Sequence, residues 1–160
     1  MQELSTSKEG TLSILESATG SGKTEAALGR YARLLDEGLV DSMYFAVPTR
    51  AAAKQLQGRI RKARDAMFGT DHPPVHLAVP GYLKVDDVEG TRDGWHVRWD
   101  EDVDHRGWAA ESSKRYTASP IAVGTIDQVL LTTLRTRHAH LRMAGLTRSF
   151  LVVDEVHASS

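Results

Sequence analysis

The sequence has no cysteine among its 160 residues, and no apolar run approaches the roughly 18 residues that cross a membrane. The missing cysteine excludes disulfides, thiolate zinc sites and a cysteine nucleophile, and it fits a reducing compartment. The N-terminus lacks the basic and then apolar pattern of a secretion signal. The net charge is −1, so no overall basic field attracts nucleic acid. We therefore expect a cytoplasmic protein with no membrane partner, in which any nucleic-acid contact comes from a local patch.

A glycine-rich stretch, Ser17 to Thr24, lies between an apolar run and a helix-prone run. We predict that the apolar run, Thr11 to Leu15, is a short buried strand. The following helix is predicted to begin at Lys23 and to end near Glu37, just before Gly38. A strand, a glycine-rich turn and a helix in this order are typical of a phosphate-binding loop, because backbone N–H groups and the helix N-terminus point into one concavity. The alternative is an ordinary glycine-rich turn, and the strict pattern has glycine in place of Ser17.

Six residues of this loop are predicted to bind nucleotide: Thr19, Gly20, Ser21, Gly22, Lys23 and Thr24. Lys23 is predicted to reach the β- and γ-phosphates as a positive charge, and the Thr24 hydroxyl is predicted to ligate Mg²⁺. The expected cofactors are therefore ATP and Mg²⁺.

Apolar strands alternate with amphipathic helices along the rest of the chain. The predicted strands are 43–47, 75–79, 121–123 and 150–153, and the predicted helices are 51–67, 106–116 and one that starts at Thr125. Thr125 and Gln128 are predicted to form a capping box, and the helix after it is predicted to point four apolar side chains inward: Ile126, Leu130, Leu131 and Leu134. This alternation predicts an α/β fold of the P-loop NTPase type, with three α/β/α layers around a mostly parallel sheet.

The periodicity fails between Pro80 and Asp104, which we predict to be an insertion or long loop that decorates the sheet. Trp95 to Trp99 is predicted to be a short exposed strand within it. The acidic residues of this segment indicate either a metal site or a solvated surface, and the absence of calcium-loop spacing favours the surface. These residues are Asp86, Asp87, Asp100, Glu101, Asp102 and Asp104.

The last predicted strand leads into Asp154 and Glu155. Because the carboxyl ends of parallel strands meet at one edge, these acids are expected near the phosphate-binding loop. Asp154 is predicted to hold Mg²⁺, and Glu155 to polarise the attacking water as general base. Two acids alone are typical of a helix N-terminus, but the apolar strand before them and the loop upstream favour catalysis. The catalytic candidates are thus Glu155, Asp154 and Lys23.

Several of these stretches together resemble a known family. Thr19 to Thr24, Pro48 to Arg50 and Asp154 to His157 resemble motifs I, Ia and II of superfamily 2 DExH helicases. The string Gly124 to Gln128 resembles the helicase part of the type I CRISPR-associated helicase-nuclease. On this resemblance the chain, residues 1–160, is a partial helicase ATP-binding domain, the first of two RecA-like lobes.

The resemblance implies an ATP-hydrolysing motor that translocates on single-stranded DNA and unwinds duplex. It also implies recruitment by the RNA-guided CRISPR surveillance complex in antiviral defence, and a nuclease domain that degrades the strand. His157 would couple the nucleotide site to neighbouring motifs. The residues that would contact the DNA backbone are Thr49, Arg50, Gly124 and Thr125, because hydroxyl, guanidinium and N–H groups bind phosphate oxygens regardless of base sequence.

The second RecA-like lobe of such motors brings arginine fingers to the γ-phosphate. We therefore expect the 160-residue chain alone to bind nucleotide weakly, to hydrolyse it poorly and not to unwind DNA. Two alternatives stay open, a degenerate fragment that is not a motor and another DExH nucleic-acid translocase, and the Gly124 to Gln128 string argues against the latter. Four arginines form either a DNA-facing patch or a solvated helix face: Arg135, Arg137, Arg142 and Arg148.

Overall fold

The computed structural model describes residues 10–16, 20–69, 72–93, 96–101, 107–134 and 138–154. Seven strands and four α-helices lie within these residues. In chain order they are α1 (Lys23–Asp36), β1 (Ser42–Val47), α2 (Arg50–Phe68), β2 (Val75–Ala78), β3 (Lys84–Val85), β4 (Val88–Asp93), β5 (His96–Trp99), β6 (Ile121–Thr125), α3 (Ile126–Leu130), α4 (Ala139–Leu146) and β7 (Ser149–Val153).

The strands form one sheet in the order β5-β4-β3-β2-β6-β1-β7. The four strands β2, β6, β1 and β7 are parallel, whereas β3, β4 and β5 extend the sheet antiparallel to their neighbours. Every residue of β1 and of β6 is buried, as the continuous apolar runs of parallel strands predict.

Helices cover both faces of the sheet. Successive side chains of β1 point to opposite faces, so Phe45 packs with residues of α1 and α2, while Tyr44 packs with residues of α3 and α4. A 3-10 helix, Tyr116–Ala118, completes the layer that contains α3 and α4. The predicted three-layer α/β/α class is confirmed, and a RecA-like lobe has this architecture.

The first predicted strand is wrong. Residues 10–16 have neither helix nor strand structure, and Leu12, Ile14 and Leu15 are 92%, 83% and 60% exposed. A strand exists only where another strand satisfies its backbone N–H and C=O groups, and that partner is remote in sequence. The apolar run indicates which side chains a strand here would bury, but it does not supply the strand that must pair with it. In this structure residues 10–16 pair with no strand of the described sheet.

Three further local predictions are wrong, wholly or in part. Residues 108–115 form mostly turns rather than an α-helix, and Tyr116 begins the 3-10 helix. Of the four side chains expected inside, Ile126 packs against the core, whereas Leu130 and Leu134 are 51% and 54% exposed, because α3 ends after five residues. Thr125 is the N-cap of α3 as predicted, but its side chain forms no cap hydrogen bond, so the capping box is not made.

The antiparallel ribbon β3–β5 lies where the sequence predicted an insertion or long loop. The predicted short strand is confirmed as β5, although Trp95 lies outside the described residues. Trp99 packs against the backbone of Gly107, where a Cβ atom would lie 2.6 Å from the indole ring. No helix in the described ranges is long and apolar enough to cross a membrane.

The acids of this segment do not share one environment. Asp100 and Glu101 are exposed, as a solvated surface requires, and Asp102 and Asp104 lie outside the described residues. Among the residues with a described position, no group of three histidine, aspartate or glutamate side chains is placed to hold a metal ion.

Asp86 belongs to a partly buried ion pair, so the prediction of a solvated surface is wrong for this residue. The carboxylate Oδ1 accepts hydrogen bonds from Arg64 Nη1 at 2.5 Å and from the Val75 N–H at 3.0 Å. The Arg64 side chain is only 2% exposed, whereas the neighbouring pair between Asp87 and Arg61 is at the surface. A buried charge is tolerated only when it is paired and hydrogen-bonded, so Asp86 anchors the β3–β4 turn to α2.

Candidate functional site

The glycine-rich turn leads directly into α1. Gly20 and Gly22 have φ angles of 79° and 84°, in the left-handed region where a side chain is strained. Gly22 is the N-cap of α1, and no side chain of a described residue caps this helix start. The first-turn N–H groups have no partner within the helix, so this turn suits an anion such as phosphate. Thr19 lies outside the described residues.

Lys23 and Thr24 are the first two residues of α1, but their side chains differ in environment. Lys23 is half-buried, whereas Thr24 is only 4% exposed. The Thr24 hydroxyl accepts a hydrogen bond from Arg59 Nη2 of α2 at 3.4 Å. A guanidinium beside this hydroxyl repels a second cation, so coordination of Mg²⁺ by Thr24 requires Arg59 to move.

Arg59 was missed by the sequence reasoning. Its position in α2 carries no motif, and it meets Thr24 only because α1 and α2 pack side by side on one face of the sheet. The same packing places the Met67 methyl group 3.8 Å from the Cβ position of Gly29. The sequence holds no signal for a contact between two residues 35 positions apart.

Three of the predicted segments meet at the carboxyl edge of the parallel strands. In the sheet register Ala46 lies between Gly124 of β6 and Val153 of β7. The Asp154 N–H then donates to the Ala46 carbonyl at 3.0 Å, which fixes the half-buried Asp154 beside the end of β1. Glu155 and His157 lie outside the described residues.

Asp154 at this edge and Thr24 at the start of α1 are the two predicted magnesium ligands that the structure describes. Asp154 offers one carboxylate, and Thr24 offers a hydroxyl that accepts a hydrogen bond from Arg59. Mg²⁺ usually keeps several waters and takes one or two carboxylates together with phosphate oxygens. Such a donor set therefore suits a metal that arrives with a nucleotide.

The predicted DNA-contact residues divide into two exposed and two buried ones. Thr49 and Arg50 are exposed at the start of α2, where Thr49 Oγ1 accepts the Ala52 N–H at 3.1 Å and caps the helix. Gly124 and Thr125 are buried at the end of β6. The structure therefore leaves Thr49 and Arg50 as the pair that faces solvent.

Gly124 and Thr125 have a packing role in this structure. The Tyr44 hydroxyl donates to the Thr125 carbonyl at 3.3 Å, and burial raises the pKa of that hydroxyl above its ordinary value. A Cβ atom on Gly124 would collide with the Tyr44 hydroxyl and would lie 2.6 Å from the Ala78 carbonyl oxygen. Only glycine fits where β6 passes between β1 and β2.

Replacing Gly124 by alanine is therefore expected to lower the free energy of unfolding by about 1–3 kcal/mol, as other overpacked cores do. Gly58 in α2 is the matched control, because its Cβ position meets no atom within 4 Å. Gly58→Ala is expected to stabilise the chain by about 0.5–1 kcal/mol, since alanine loses less backbone entropy in a helix. Urea unfolding followed by circular dichroism measures both, and equal shifts would contradict the packing role of Gly124.

Of the four arginines that were expected to form either a DNA-facing patch or a solvated face, Arg148 lies away from this edge. Arg148 Nε and Nη2 donate to the two Asp41 carboxylate oxygens at 2.7 and 3.0 Å, and this hydrogen bonding holds the pKa of Asp41 below its usual value. Both residues precede the strands β7 and β1, at the end of the sheet opposite Asp154. Arg135 and Arg137 lie outside the described residues.

Comparisons with known proteins give one family and several relatives. Residues 1–159 match the family of the UvrD/REP helicase N-terminal domain. The chain is 35% identical over 153 residues to the CRISPR-associated endonuclease/helicase Cas3 of Escherichia coli strain K12, a match that covers 92% of this chain and 17% of that protein. It is 31% identical over 151 residues to the nuclease/helicase Cas3 of Streptococcus thermophilus, which covers 91% of this chain and 16% of the relative.

A more distant likeness covers less of the chain. It is 36% identical over 88 residues to the RecBCD enzyme subunit RecB of Mycobacterium tuberculosis strain CDC 1551, a match to 51% of this chain and 8% of that protein. The chain thus spans less than a fifth of the length of each of these relatives. No solved structure matches the chain.

Proposed function

Because the chain belongs to the family of UvrD/REP helicase N-terminal domains, we propose that it is the nucleotide-binding lobe of an ATP-dependent DNA helicase or translocase of CRISPR interference. The observation that carries this proposal is the strand register, in which the ends of β6, β1 and β7 lie side by side. Residues from three segments remote in sequence thereby meet at one sheet edge, where α/β proteins bind their ligands.

Each residue of the proposed nucleotide site has a distinct task. The N–H groups of the turn at Gly20 and Gly22 bind phosphate, and Lys23 adds a positive charge beside them. Asp154 holds the metal through its carboxylate, and Glu155 accepts a proton from the attacking water. When bound, Mg²⁺ supplies charge neutralisation at the transferred phosphoryl group.

The proposed partners follow from the family and from the exposed residues. Thr49 and Arg50 bind phosphates of single-stranded DNA, because they are exposed next to the end of β1. A second RecA-like lobe closes over the nucleotide, and the RNA-guided surveillance complex recruits the motor. The likeness to relatives named Cas3 over more than nine-tenths of the chain supports the CRISPR role.

A second candidate function is a DNA translocase outside CRISPR interference. The likeness to RecB favours it, but that likeness extends over only 88 residues. The non-motor alternative is a degenerate fragment that keeps the fold and a nucleotide or nucleic-acid surface but drives no translocation.

The 160-residue chain is expected to bind a fluorescent ATP analogue in a saturable, Mg²⁺-dependent manner, and to bind labelled single-stranded DNA. Its ATP turnover is expected to stay below about 1 s⁻¹ even with DNA, because the arginine fingers of the second lobe are needed for fast hydrolysis. Fluorescence titration and a phosphate-release assay measure these quantities. Absence of nucleotide binding contradicts the proposed nucleotide site, and fast DNA-stimulated turnover contradicts the need for a second lobe.

A further inference from the structure

Tyr82 is held at the carboxyl edge of the sheet by a tight turn. Residues 79–82 directly follow β2, and the Tyr82 N–H donates to the Val79 carbonyl at 3.1 Å. Pro80 occupies the second position and Gly81, with a φ angle of 92°, the third, as a type II turn requires. The turn orders the backbone while leaving the Tyr82 side chain 44% exposed.

Lys54 of α2 lies next to this tyrosine, and Arg50 precedes Lys54 by about one helical turn. They are four residues apart, so they share a helix face, and both are exposed. The Lys54 ammonium lies 5.6 Å from the centre of the Tyr82 ring, within the range of a cation–π contact. An aromatic ring and two cations thus occupy one exposed surface, which we call the Tyr82 patch (Arg50, Lys54 and Tyr82).

The Tyr82 patch lies at the same carboxyl edge of the sheet as the ends of β6, β1 and β7. Tyr82 follows β2 and Arg50 follows β1, and one strand, β6, separates them. Two strand spacings are about 10 Å, which is the length of roughly three nucleotides at the rise of a stacked strand. Between the ends of β1 and β2, β6 leads into α3, whose first turn carries the acidic residue Asp127. α3 packs on the face of the sheet opposite to α2, so Asp127 does not belong to the face that carries Lys54.

We propose that Tyr82 is a stacking platform for a base of single-stranded DNA, and that Lys54 binds a phosphate next to it. The proposal rests on the proposed function, which assigns DNA phosphates to Thr49 and Arg50. Sequence-independent binding of single strands combines a cationic track along the backbone with aromatic side chains on which bases stack. The Tyr82 patch provides both elements, and it extends the DNA path from the end of β1 to the end of β2.

Stacking and phosphate binding are separated by two probes, a fluorescein-labelled oligothymidine and an oligonucleotide of the same length with abasic sites. The unsubstituted chain is expected to prefer the oligothymidine about ten-fold in fluorescence anisotropy. Tyr82→Ala is expected to remove this preference with little effect on the abasic strand, whereas Tyr82→Phe retains it. Because Tyr82 is exposed, these substitutions leave the core intact.

Lys54→Ala is expected to weaken binding of both strands and to reduce the salt dependence of log K by about 0.7, the value for one phosphate contact. Lys62→Ala is the matched control, because Lys62 is exposed on the same helix two turns further from the strand ends. An unchanged preference for oligothymidine in Tyr82→Ala overturns the stacking platform while the proposed function stands. If the unsubstituted chain binds neither strand, the proposed function is overturned and the platform with it.

Discussion

Replacing Lys23 by alanine is expected to lower ATP affinity by on the order of 100-fold and to abolish DNA translocation in the helicase that includes the second RecA-like lobe. The change removes the positive charge that is proposed to bind the phosphates, and hydrogen bonds to charged groups are the strong ones. Glu155→Gln is expected to retain ATP binding and to slow hydrolysis by about 10²- to 10⁴-fold, because it removes the proposed general base and leaves Asp154 in place. Nucleotide titration and single-turnover hydrolysis measure the two effects separately.

Lys62→Ala is the control for the loss of a lysine, since Lys62 is exposed on α2 and remote from the strand ends. It is expected to bind and hydrolyse ATP like the unsubstituted protein. Equal loss of ATP binding in Lys23→Ala and Glu155→Gln would show that Glu155 helps to hold the nucleotide, and the role assigned to it as general base would be wrong.

Replacing Asp86 by alanine is expected to destabilise the chain by about 3 kcal/mol and to lower its melting temperature by roughly 10 °C. The substitution leaves the Arg64 guanidinium buried without its closest carboxylate, although Asp65 still accepts from Arg64 at 2.6 Å. It also leaves the Val75 N–H without its acceptor. Asp86 has a φ angle of 52°, and alanine is less tolerant than aspartate of this left-handed conformation.

Asp87→Ala is the matched control for this measurement. Asp87 is the next residue in the same turn and pairs with Arg61 at 2.6 Å, but its side chain is 66% exposed. Exposed ion pairs contribute about 0–1 kcal/mol, so a small shift is expected. Asp86→Asn is expected to fall between the two, because asparagine keeps an oxygen acceptor and tolerates the left-handed conformation. Similar shifts for Asp86→Ala and Asp87→Ala would contradict the buried pair.

The helicase family could be recognised from short motifs because phosphate binding requires few residues at fixed spacing. The glycines, lysine and threonine of residues 20–24 and the acid after β7 are each placed by their own strand or helix. The predicted likeness to CRISPR-associated helicase-nucleases is confirmed by the matches to relatives named Cas3, and the helicase family by the UvrD/REP domain. The roles of the individual site residues remain predictions.

The contacts between remote segments could not be predicted from the same patterns. The sequence pattern gives Arg64 no feature that separates it from the exposed charges of α2. It is buried because the segment before β2 and the β3–β4 turn pack over it. The glycine-rich motif predicts that Thr24 ligates Mg²⁺, yet Arg59 of the neighbouring helix donates a hydrogen bond to its hydroxyl. Gly124 reads as a DNA contact, yet its position between Tyr44 and Ala78 is a packing requirement.

The sequence by itself determined the fold class and most helix and strand positions, because hydrophobic periodicity and turn residues act over a few neighbouring positions. β1, α2 and β6 are close to their predicted bounds for this reason. Only the tertiary structure decided which strands pair, and it left the apolar segment 10–16 outside the sheet. It also decided which charged side chains are buried and that Tyr82 and Lys54 are in contact. These contacts join segments that are remote in sequence, so they depend on how the helices and the sheet pack against each other.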